Sequence, residues 1–209
     1  MLPLDTTLTF IIASALLCLA PGPDNIFVLT QSALYGRKSG IMITLGLCSG
    51  LLVHTAAVAL GVAVIFQQSA LAFNLLKGLG VLYLLYLAVQ AFRASSQQLD
   101  GAHSNLKSAG ELYRRGILMN ITNPKVSIFF LAFLPQFAST EYGAIAPQII
   151  LLGGLFLIVA LLIFSLIALM AGTLGNALQQ SPKVQVTLNR LAGTVFAGLA
   201  LRLAFVESS

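Results

Sequence analysis

The sequence predicts an all-α integral membrane protein with six transmembrane helices, arranged as a 3+3 inverted repeat in which helices one and four are broken. Three observations predict it. The 209 residues are 58% hydrophobic and only 8% charged, with a mean hydropathy of +0.95, whereas a soluble domain carries about 25% charged residues. Apolar runs recur along the whole chain, each about 20 residues or longer and so able to cross ~30 Å of hydrocarbon. Finally, one device interrupts the first and the fourth run: a proline that starts a helix, followed at once by an ionisable residue.

The first run, residues 8–34, contains Ala20-Pro21-Gly22-Pro23-Asp24-Asn25. Two prolines and a glycine cannot lie inside an unbroken helix, because proline lacks the amide donor and its ring clashes with the carbonyl one turn back. A second half-helix is expected to start at Pro23 with Gly22 as its N-cap, which puts Asp24 in the first turn, where the helix dipole favours negative charge. The loop 35–40 carries Arg37 and Lys38, and the second run is 41–66. A turn at Gln67-Gln68-Ser69 leads into the third run, 70–92. A polar linker, 93–116, holds Arg93, Lys107, Arg114 and Arg115.

The fourth run, 117–137, is interrupted at Asn120-Ile121-Thr122-Asn123-Pro124-Lys125, with Asn123 as N-cap and Pro124 as first helical residue. A loop 138–143 with only Glu141 precedes the fifth run, 145–174; the loop 175–182 precedes the sixth, 184–206, in which Asn189 and Arg190 shorten the apolar core. The chain thus reads as one transmembrane domain, 1–209, with a first half of about 1–93, a linker of about 94–116 and a second half of about 117–209.

Lys and Arg gather in the loops after runs one, three and five, and the other two loops have none. Basic loops face the cytoplasm, so both termini are expected outside. Three spans per half is an odd number, so the halves must be inverted. Inverted repeats around discontinuous helices are a common transporter plan, with the site at mid-membrane. The N-terminus lacks a basic region before its apolar run, and no cleavable signal is expected. The net charge of +5 is small and lies near run ends, which suits anionic headgroups rather than nucleic acid. Cys18 and Cys48 fall inside apolar runs and read as small buried hydrophobes.

Asp24 and Lys125 lie deep in their runs, where a charge costs at least ~2.5–3.5 kcal/mol, so both are functional candidates. Asp24 reads as a proton carrier or ammonium binder, against a purely structural role in a helix start or a fixed ion pair. Lys125 opposes the dipole of the half-helix it begins and calls for an anion nearby: Asp24, or a substrate carboxylate. The alternative is that it snorkels to the cytoplasmic face. The two breaks also free backbone amides for an anion, so a zwitterion would suit them. Gly46, Gly50, His54, Ala57 and Gly61 share an arc of about 80° on one helix. Glycines on one stripe let helices approach closely, and His54 reads as a packing residue before a proton relay. There is no G-x-S-x-G, no phosphate loop and no Cys/His cluster.

LAPGPDN in the first run and RRGILMNITNPKVSIFFLAFLPQF in the fourth resemble the LysE/RhtB family of bacterial amino-acid exporters. The resemblance covers the whole chain, and the pairing of PGP with NPK at this separation is its specific part. It implies a cytoplasmic-membrane exporter of amino acids or derivatives driven by the proton gradient, and carries Pro21, Gly22, Pro23, Asn123, Pro124 and Lys125 onto the family's motifs. With one acid at mid-membrane, a neutral zwitterion suits this chain better than a dication. The expected partners are an amino-acid substrate, protons and the lipid bilayer; a homo-oligomer is compatible with the plan, and no cofactor, metal or nucleic acid is expected. The competing readings are a passive channel or cation exporter of related fold and, further off, an intramembrane enzyme.

Overall fold

A computed structural model describes residues 2–20, 22–68, 70–93, 108–180 and 182–205. Every regular element among them is helical. Helix α1, Leu4–Leu19, begins after Pro3 and ends at the first break. Its hydroxyls fold back onto carbonyls one turn earlier, as Thr7 does onto Pro3 and Ser14 onto Phe10, which satisfies them without water. Helix α2, Pro23–Tyr35, leaves α1 at 58°. Gly36 then turns with φ 88°, a left-handed conformation that suits glycine. Helix α3, Arg37–Gln68, begins at the next residue, so the loop expected over 35–40 shrinks to Gly36 alone. Helix α4 is Ala70–Arg93.

The polar linker expected to reach residue 116 ends earlier. Helix α5, Ala109–Thr122, starts at a reciprocal capping box between Ser108 and Glu111, so Arg114 and Arg115 are helical. The remaining linker, 94–107, lies outside the described residues, as do His103 and Lys107. The second break bends the chain by 51° into α6, Pro124–Ile128. The α-helix expected to run on to 137 stops there. A π-helical turn, Phe129–Phe133, passes into a 3-10 turn, Leu134–Phe137. Pro135 has no amide to continue the α ladder. Helix α7, Ile145–Gln180, overruns the loop expected over 175–182, because nothing before Pro182 breaks it; α8 is Pro182–Phe205.

Helix α3 is the central strut. It packs on α5 along one side and on α7 along another, while α4 packs on α8. The first broken helix packs on α7 as the second packs on α3, so exchanging the two halves maps these contacts onto themselves. Phenylalanine fills the middle: Phe10, Phe129, Phe130, Phe133, Phe137 and Phe156 stack with ring centroids 5.0–6.2 Å apart. The outside is apolar too, with Leu79, Leu82, Leu162 and Leu166 all exposed. Segments Arg37–Gly61 and Ile145–Ala171 are each long and apolar enough to cross a membrane, and four spans qualify when each bent pair counts as one.

Candidate functional site

The two breaks meet in the core, and each supplies what the other lacks. At the first, α1 ends in carbonyls without helical partners. Leu17 O would accept from the amide of residue 21, which is a proline. Side chains take over this role. Lys125 Nζ, from the start of α6, donates to Leu17 O at 3.2 Å and to Ala20 O at 3.0 Å. Asn25 Nδ2 donates to Cys18 O. A cation on the carbonyl end of a helix is favoured by its dipole. Gly22 makes this approach possible, since a Cβ there would lie 3.0 Å from Nζ.

Asp24 is 2% exposed, in the first turn of α2. Its Oδ2 accepts from Asn120 Nδ2 at 3.4 Å, and its Oδ1 has no hydrogen-bond partner. Asn123 faces the same carboxyl. Lys125 does not pair with Asp24 directly, although the two charges lie near enough to act on each other. The anion that Lys125 was expected to need is therefore replaced by the carbonyls of α1, and the lysine is buried instead of snorkelling. Both side chains line a cavity of about 10 Å³ with Leu17, Cys18, Val126, Phe156 and Phe164. That is room for about one water; an amino acid needs the helices to move apart.

The second break is capped from within. Asn123 Oδ1 accepts from Lys125 N at 3.0 Å, the N-cap geometry its sequence implies. Pro23 and Pro124 are exposed and act through the backbone as first helical residues. Pro21 lies outside the described residues.

Asn120 was not among the residues singled out from sequence, yet it links the pieces. It is 1% exposed; its amide reaches Asp24 and its backbone carbonyl meets His54 Nε2 at 3.1 Å. A polar residue one turn before a helix-breaking proline in an apolar run was the signal that could have found it. Gly50 makes the space, because a Cβ there would lie 2.7 Å from the Asn120 side chain. Gly46 similarly lies against Gly116, with its Cβ position 2.1 Å from Tyr113 O. Gly61 departs from this stripe: it is exposed, and among the described residues a Cβ there meets nothing within 4 Å. It lies about three helical turns beyond Gly50, past the last contact with Asn120 near the end of α5. The His54 ring also packs on Phe130, centroids 5.6 Å apart. Cys18 and Cys48 are buried free thiols, and no metal-binding cluster of His, Cys, Asp or Glu occurs among the described residues.

Residues 15–206 match the family model of the LysE type translocators. The chain belongs to the LysE family. It is accordingly a membrane transporter and not an enzyme. Among similar proteins, an uncharacterized membrane protein of Vibrio cholerae is 32% identical over 202 residues, 96% of this chain and 97% of its own. The homoserine/homoserine lactone efflux protein of Salmonella typhimurium is 32% identical over 195 residues, 93% of this chain and 94% of its own. The membrane protein YrhP of Bacillus subtilis is 29% identical over 208 residues, 95% of this chain and 98% of its own. No solved structure matches significantly.

Proposed function

We propose that this LysE-family protein exports amino acids or their derivatives across the bacterial cytoplasmic membrane, driven by the proton gradient, with neutral zwitterions of homoserine, threonine or leucine type as substrates. One observation carries this reading: a buried acid from one break and a buried base from the other share a cavity without pairing. Unpaired charges at such depth are costly and mark a substrate or proton path. In this reading Asp24 exchanges a proton for the substrate ammonium, and Lys125 takes the carboxylate. A single acid leaves a dication one partner short. The homoserine efflux relative supports the substrate class.

The same reading takes the chain as six spans in a 3+3 inverted repeat, supported by the contact set that survives exchange of the halves. Both termini then lie outside and the basic loops in the cytoplasm. A cysteine placed at Ser139 should react with an impermeant reagent from outside intact cells; reaction only from inside inverts the orientation.

The transport test is metabolite profiling with and without overexpression, followed by flux in inverted vesicles. Overexpression should deplete the internal pool of a neutral amino acid. Inverted vesicles should accumulate that solute against its gradient until a protonophore is added. A passive channel would only equilibrate it.

A further inference from the structure

We infer that the carbonyls of Leu17 and Ala20, together with Oδ1 of Asp24, form a seat for a primary ammonium, that Lys125 occupies it as a tethered stand-in, and that the transported amino acid's own ammonium replaces the lysine there. This rests on the exporter reading for its substrate; the seat itself rests on geometry. A primary ammonium is already bound: Nζ holds two carbonyls at 3.2 and 3.0 Å. An ammonium has three N–H donors, and these bonds use two. Asp24, a side chain only 2% exposed that faces Asn123, has its Oδ1 without a hydrogen-bond partner, and the residue borders one cavity with Leu17 and Lys125. The seat is narrow, since Gly22 leaves just enough space for Nζ.

The exchange keeps every buried charge partnered. A substrate carboxylate draws Lys125 off α1, and the substrate ammonium takes over Leu17 O and Ala20 O and adds Asp24 Oδ1. The end of α1 passes from one ammonium to the other, and a protonated Asp24 releases its proton as the substrate ammonium arrives. Each step trades one charge-assisted hydrogen bond for another. Lys125 also ties the two breaks together, so its release frees the half-helices to part, which the small cavity requires. The seat demands N–H donors, so each methyl added to the substrate nitrogen removes one contact.

The test uses purified full-length protein in detergent. Truncating Lys125→Ala removes a three-carbon ammonium, so n-propylammonium chloride is the matching probe. It should raise the melting temperature of Lys125→Ala by several degrees and leave the wild type unmoved. Trimethylpropylammonium and n-propanol should shift neither protein. Equal stabilisation by all three probes, or none by n-propylammonium, overturns the seat. Should Lys125→Ala not fold, the wild type decides: L-homoserine should bind at least tenfold more tightly than its N,N,N-trimethyl derivative, and equal binding overturns the exchange. A seat that binds n-propylammonium in a protein whose overexpression leaves amino-acid pools unchanged would sink the exporter reading alone.

Discussion

The two helix breaks look alike in sequence and differ in chemistry. Each has a proline at the first helical position and an ionisable residue next to it. Break two caps its own half-helix through Asn123 and then sends out donors, Lys125 Nζ and Asn120 Nδ2. Break one has no side-chain cap at Gly22 and presents acceptors: the last carbonyls of α1 and the Asp24 carboxyl. Two breaks of identical chemistry would set acceptor against acceptor. One break supplying donors and the other acceptors makes the two complementary across the core.

The strongest way to break the comparison is to neutralise the acceptor break. Asp24→Asn should reduce proton-driven uphill flux in proteoliposomes to the level of empty vesicles while leaving slow downhill exchange; wild-type coupling in this variant refutes the proton role. Neutralising the donor break comes next. Lys125→Met removes a cation from two carbonyls, each such bond being worth about 1.5–3 kcal/mol. It should lower stability in chemical denaturation and weaken binding of amino acids far more than of their amides. In the double variant the losses should be smaller than the sum of the single losses, because the sites share a cavity; strict additivity separates them.

Rejoining the half-helices is a milder disturbance. Pro23→Ala with Pro124→Ala should insert in the membrane normally and lose export, whereas full activity would make the breaks structural only. Gly50→Ala pushes the Asn120 side chain off Asp24 and should cost about 1–3 kcal/mol by overpacking, with export reduced in parallel; Gly61→Ala, on an exposed face, should change neither. The smallest effect is expected at His54. It is satisfied by the Asn120 carbonyl and by Phe130, so His54→Asn should keep export and its pH profile, and a displaced profile would reassign it as a relay.

Much of the fold and part of the site were readable from local rules. Breaks at Pro23 and Pro124 and the N-cap at Asn123 follow from covalent constraints, which act within a turn or two of the residue concerned. The glycine stripe was legible as a pattern but not in extent: Gly46 and Gly50 lie against α5 and Gly61 does not, because where a stripe stops depends on how long the partner helix is. The start of α5 at Ala109 lay in a stretch too polar to read as helix by hydropathy, although its capping box was written in Ser108 and Glu111.

The sequence by itself determined a LysE-family membrane transporter with two broken helices and one ionisable residue at each break, since proline geometry and the cost of charge in hydrocarbon need no partner to act. Only the tertiary structure decided which groups meet. It gave Lys125 to the carbonyls of α1 instead of to Asp24, brought Asn120 to the carboxyl, and tied His54 to the same asparagine. Those pairings join residues 66 to 108 positions apart. They depend on the crossing of helices, where backbone carbonyls count as partners and carry no signature in the side-chain sequence.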